Sequence, residues 1–173
     1  MKARILVLGA AAAALGCNAS STRLHPGISS SCSVTLSGAV TAGPIDCQPA
    51  TTAWSLADDY GGFSFGVAAS GTRPAISVAI EWVGEPIVGG YTNGDAGALA
   101  SLTVTAANNR SWVASVTGTA APSGNYNLLF SSIVNNLNTA GGKGYSAEGT
   151  LAASLPAVAA SGATGTVTLN VTF

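Results

Sequence analysis

Histidine occurs once in the 173 residues, at His25, and lysine only at Lys2 and Lys143; charged residues make up 8% of the chain and aromatic residues 6%. A single His beside Pro26, in a polar stretch with no period, leaves nothing to build a packed Ser-His-Asp triad or a His-based zinc site. Six basic residues against seven acidic ones, with two of the six at Lys2 and Arg4, leave the chain beyond its start net acidic. Nucleic acid is therefore excluded as a partner. None of the three cysteines falls in a CxxC spacing, which disfavours a metal or redox pair. Aromatic side chains are too few for the two interfacial girdles of a membrane barrel. No apolar run reaches the ~20 residues that a membrane-spanning helix requires.

The chain does begin with a short cationic end, Lys2 and Arg4, followed by an apolar run over residues 5–14. That length and polarity fit a signal peptide over residues 1–16, with small residues near its end for cleavage. At this point Ala14-Leu15-Gly16-Cys17 resembles the lipobox of bacterial lipoprotein precursors. The resemblance implies a diacylglycerol on the Cys17 thiol, removal of residues 1–16 and acylation of the new amino terminus. It also implies localisation as an exported protein, lipid-anchored at the outer membrane, with the membrane as a partner. The usual order places Leu before the small residue, whereas here Ala14 precedes Leu15, so cleavage without lipid stands as the alternative. Each methylene buried in a bilayer contributes ~0.8 kcal/mol, so two or three acyl chains anchor a protein without any helix.

Cys32 and Cys47 remain once Cys17 is set aside, and in an oxidising compartment they are expected to form a disulfide. Residues 17–31 are polar, with Pro26, Gly27 and a run of serines, and read as a tether behind the lipidated Cys17. From Cys32 to Phe173 the composition is uniform, rich in Ala, Gly, Ser, Thr and Val. One exported all-β domain over 32–173 follows.

Within it, apolar side chains recur at every second position: Val34 and Leu36; Phe63, Phe65 and Val67; Ile76, Val78, Ile80 and Trp82; then over 99–105 and 112–119; Tyr126, Leu128 and Phe130; over 145–155; and Val167, Leu169, Val171 and Phe173. Period two marks strands. Turn clusters such as Gly61-Gly62, Asn93-Gly94 and Gly141-Gly142 separate them. About eight strands at hairpin spacing predict a single antiparallel β-sandwich, with a small eight-stranded β-barrel as the alternative. Thr51, Thr52 and the Gly61-Gly62 pair after Tyr60 argue against a helix over residues 50–60, which are expected to be irregular.

Stretches spread along the domain, among them Cys32-Ser33-Val34-Thr35-Leu36-Ser37-Gly38, Gly124-Asn125-Tyr126-Asn127-Leu128 and Gly165-Thr166-Val167-Thr168-Leu169, are similar to a loose group of uncharacterised bacterial lipoproteins and secreted β-domains. The resemblance implies the β fold and carries no activity.

No set of catalytic residues emerges, and the chain reads as a non-enzyme. Glu81 and Glu85 are four residues apart across a strand end and a turn, which gives no reason for them to face one cleft as glycosidase carboxylates do. Asp58, Asp59 and Asp95 offer oxygen ligands for calcium, without the spacing of a known calcium loop. No other cofactor is expected. Trp82 and Trp112 continue apolar faces and belong to the core. Trp54 and Tyr60 flank Asp58-Asp59, so Trp54, Asp58, Asp59 and Tyr60 form the candidate ligand-binding loop. Two functions stay open: a structural or interaction protein of the envelope, whose protein partner binds through a sheet edge or loops, and a carbohydrate module that binds a glycan on the Trp54–Tyr60 loop.

Overall fold

β-branched, aromatic and small residues alternating across two faces give eleven strands: β1 (Cys32–Gly38), β2 (Ala42–Cys47), β3 (Thr51–Ser55), β4 (Tyr60–Val67), β5 (Ala75–Val83), β6 (Gly89–Thr92), β7 (Leu99–Thr105), β8 (Ser111–Val116), β9 (Asn125–Thr139), β10 (Gly142–Pro156) and β11 (Thr166–Thr172). The computed structural model describes residues 31–47, 50–117 and 123–173. The expected signal peptide, Cys17, His25 and the tether as far as residue 30 lie outside the described residues.

All pairings are antiparallel, in the order β2-β1-β11-β10-β3-β4-β5-β7-β8. The long strand β10 organises this path. On one edge its first residues, Gly142 to Tyr145, pair with β3, and its last, Thr150 to Pro156, pair with β11. Its other edge pairs with β9, which also carries β6. Two leaves therefore diverge from one hairpin. One leaf is β2-β1-β11-β10-β9-β6 and the other is β10-β3-β4-β5-β7-β8. They fold onto each other, with β8 meeting β10 and β9, and β2 meeting β4.

The side chains between the leaves form one cluster, including Val34, Phe63, Val78, Leu102, Leu128, Phe130, Leu155 and Leu169. In β5, Ile76, Val78, Ile80 and Trp82 face this core while Ser77, Glu81 and Val83 face outward, as period two dictates. Trp82 and Trp112 are buried as expected, and Trp112 Nε1 donates to the Thr164 carbonyl at 3.1 Å. Gly61 makes room for Trp82: a β-carbon there would collide with the indole and press on the Gly84 carbonyl.

The sandwich expectation holds, with eleven strands in place of about eight. The missed strands are short. β2 contains Gly43-Pro44, which read as a turn, and β6 has four residues, two of them glycine. β3 occupies half of the stretch expected to be irregular; its Thr51 and Thr52, evidence against a helix, are favourable in a strand. The barrel alternative fails, because the sheet does not close. β8 reaches across to the β9–β10 side only through isolated bridges, Trp112 to Ala157 and Ser115 to Ser123. β2, β6 and, apart from those two bridges, β8 are edges among the described residues, as is the side of β9 beyond Phe130 that does not face β10.

Cys32 and Cys47 stand opposite each other in β1 and β2, with Cα atoms 5.0 Å apart, and are joined by a disulfide.

Candidate functional site

Register decides which side chains share a face. On the outward face of β3, β4, β5 and β7, one row across the strands is Ala53, Gly62, Glu81 and Leu99; the next is Thr51, Ser64, Ala79 and Ser101. Ser55, Tyr60 and Val83 form a third row on their other side. Ala53, Gly62 and Ala79 are too small to fill the space above the strands. A groove of about 640 Å³ results, and Asp58, Tyr60, Glu81 and Leu99 are among the residues that line it. Hydroxyls of Thr51, Ser55 and Ser64 line it.

Two of the four candidate loop residues, Asp58 and Tyr60, therefore lie in one groove. Trp54 and Asp59 do not line it. Trp54 is in phase with the buried Thr52 and turns to the opposite face of β3. Its Nε1 donates to Asp59 Oδ1 at 3.1 Å, and Asp59, with φ of 54°, also accepts from the Gly84 amide through its carbonyl at 2.8 Å. The structure divides the four residues: alternation along β3 separates Trp54 from Tyr60, and Asp59 accepts hydrogen bonds within the turn.

Trp54 belongs instead to a polar cluster that spans three segments. Lys143 Nζ lies 5.3 Å from the Trp54 ring centroid and 2.9 Å from both oxygens of Glu85. The Tyr145 hydroxyl also donates to Glu85. That hydrogen bond, helped by Lys143, holds the Glu85 carboxyl below its ordinary value. Glu85 is about sixty residues from Lys143 and Tyr145, and only the β10 register makes them neighbours. No local pattern in the sequence announces this cluster.

Glu81 and Glu85 part as expected, the first lining the groove and the second held by Lys143 and Tyr145. Asp58 and Glu81 line one groove on an open, solvated face. Asp95 accepts from the Thr92 amide as a turn cap, and no group of three or more His, Cys, Asp or Glu that could hold a metal gathers among the described residues. Tyr91 packs on Trp82 with centroids 4.3 Å apart, and its hydroxyl accepts from the Ile87 amide at 2.9 Å, so it is a packing residue.

Burial pushes the phenols of Tyr126 and Tyr145 up to about 12, with Asp95 adding to the first and the Glu85 hydrogen bond to the second. Burial raises Tyr91 as well. In the unfolded chain these phenols ionise near pH ~10. Between about pH 10 and 12 the unfolded state therefore binds fewer protons than the folded one, and stability falls as pH rises. Thermal melts are expected to be flat from pH 8 to 10 and to drop steadily above. The Tyr126→Phe, Tyr145→Phe double variant should show a shallower drop, and an unchanged slope would refute the assignment.

Comparison with known proteins finds no match: no family model, no curated protein and no solved structure.

Proposed function

We propose that the chain is exported, held at the outer membrane through lipid on Cys17, and acts there as a non-catalytic domain that binds an extended glycan in the groove of β3, β4, β5 and β7. The groove itself carries the glycan reading. Its length runs over small residues of neighbouring strands, and its lining joins an outward-facing aromatic ring, Tyr60, to the carboxylates of Asp58 and Glu81 and the hydroxyls of Thr51, Ser55 and Ser64. Sugar rings offer C–H faces to an aromatic ring and hydroxyl pairs to carboxylates, so an uncharged, hydroxyl-rich chain matches this lining.

Docking of a protein strand on a sheet edge has less support. Edge addition draws its affinity from a run of main-chain hydrogen bonds. Two of the edges suit it poorly: β2 is interrupted by Pro44, which has no N–H, and by a register shift opposite Val34 and Leu36, and β6 has four residues. Short, interrupted edges resist such pairing.

Affinity chromatography of the mature protein on a panel of immobilised polysaccharides tests the proposal. Retention on at least one neutral glycan is expected. Tyr60→Ala should weaken it about tenfold or more, a loss of ~1.4 kcal/mol. Trp54→Phe, on the other face of β3, should change it less than about twofold. Retention that survives Tyr60→Ala would remove the groove from the reading. Recovery of a protein partner with no glycan retained would replace it by an interaction role.

A further inference from the structure

The groove on β3, β4, β5 and β7 holds acid with no base to answer it. Asp58 and Glu81 line it, and no Lys, Arg or His does. Neither carboxylate has an ion-pair or hydrogen-bond partner among the described residues. The basic side chains of those residues lie elsewhere. Lys143 stands opposite Trp54, on the other face of β3, and is paired with Glu85. Arg73 and Arg110 sit in the β4–β5 and β7–β8 turns. Ala75 stands opposite Thr105 and Glu81 opposite Leu99, so both of those turns lie beyond six residues of strand, ~20 Å, from Glu81. Salt screens charges over ~8 Å, so neither arginine neutralises the groove.

Register also sets how acid and ring meet. Tyr60 stands opposite Val83 and Gly62 opposite Glu81, which makes Glu81 the diagonal neighbour of Tyr60 on the outward face. Such neighbours lie ~7 Å apart. Gly62 puts no side chain between them, and the open interval is about the width of one sugar ring. A ring stacked on Tyr60 therefore brings a substituent on its edge to Glu81. Asp58 offers a second carboxylate from the turn that leads into Tyr60.

Resting on the glycan reading above, we propose that the groove selects amino sugars: a hydroxyl-rich chain with free primary amines, its ring faces on Tyr60 and its ammonium groups on Glu81 and Asp58. An uncharged chain satisfies the ring and the hydroxyls and leaves both carboxylates to water. An ammonium group adds a charge-assisted hydrogen bond to each. A uronate or sulfated chain meets uncompensated like charge and is rejected. The small side chains of Ala53, Gly62 and Ala79 admit the chain, and the carboxylates choose its charge.

The test is calorimetric titration of the mature protein with an oligomer of β-1,4-linked glucosamine and with the same oligomer N-acetylated, in mildly acidic buffer where free amines are protonated. Acetylation keeps the ring faces and removes the charge. The free amine is expected to bind about fivefold tighter or more, through two exposed contacts of modest strength. High salt should abolish that difference. Asp58→Asn with Glu81→Gln should abolish it too while leaving the N-acetylated oligomer bound; both positions are exposed, so folding is retained. Tyr60→Ala should weaken both oligomers. Equal affinity for the two, or tighter binding of a uronate oligomer, overturns the selection and leaves the glycan reading standing. Oligolysine of matched charge that binds as tightly as the glucosamine oligomer reduces the effect to ion exchange and overturns it as well. Failure of both oligomers overturns the selection, and the glycan reading falls with it only if the panel of neutral polysaccharides is also not retained.

Discussion

Phe130→Ala is expected to lower the free energy of unfolding by about 3–5 kcal/mol, the range for truncating a buried phenylalanine. Phe130 is fully enclosed, with the rings of Phe63, Trp82, Tyr91 and Phe173 at centroid distances of 5.7 to 5.9 Å, all edge-on. Such edge contacts add to the burial of the ring. Its strand, β9, lies between β10 and β6 in the first leaf, and Phe63 and Trp82 belong to the second, so the ring bridges both. Gly149 stands opposite it in β10, where a β-carbon would run into the Leu129 backbone and the Phe173 ring. Collapse into the void would have to move several rings at once. A domain of this size is stable by only ~5–15 kcal/mol, so the variant sits close to its limit. Urea denaturation followed by fluorescence measures the loss. Leu129→Ala, one residue along and facing outward, should cost less than about 1 kcal/mol. Equal costs at the two positions would show that β9 does not have the inward and outward faces described.

How far the sequence carries this fold follows from which faces are buried. β5 and β11 alternate from end to end because one face of each meets the core and the other meets water. Their positions are legible to the residue. β9 alternates only over its first half; from Ile133 onward it has no fully buried position, so its last residues, such as Asn135, Asn136 and Asn138, give no period. β3 and β6 are too short for a period to accumulate, and β2 looks like a turn because Gly43 and Pro44 lie within it. The same logic governs the candidate site. Asp58 and Tyr60 are recoverable as polar and aromatic groups beside a turn. That Trp54 points the other way depends on the phase of β3, a strand the sequence does not declare. The groove is harder still to foresee, because what makes it is the absence of side chain at Ala53, Gly62 and Ala79, brought together by the pairing of β3, β4 and β5. The Lys143–Glu85–Tyr145 cluster is a product of topology alone.

Removal of the disulfide, as Cys32→Ala with Cys47→Ala, is expected to cost about 3 kcal/mol, the chain-entropy value for a closed loop of about fifteen residues. The consequence should also be local. β2 pairs only with β1, and a register shift separates its Val34–Ile45 contact from Leu36–Ala42, so few ladder bonds hold it apart from the crosslink. Ile45 is its one fully buried side chain. Without the bridge, the amides of Ile45 and Asp46 should exchange with solvent much faster than the global unfolding rate permits, while those of Phe65 and Val78 in the middle of the second leaf keep the protection set by global stability. Released from β2, β1 would present an unpaired edge backed by Val34 and Leu36, and an open apolar edge is where sheets associate. Concentration-dependent association of the reduced protein, absent in the oxidised form, should accompany the local exchange. Identical unfolding midpoints in oxidising and reducing buffer would overturn this account. A crosslink of that value persists only in an oxidising compartment, which joins the stability of the domain to the proposed export of the chain.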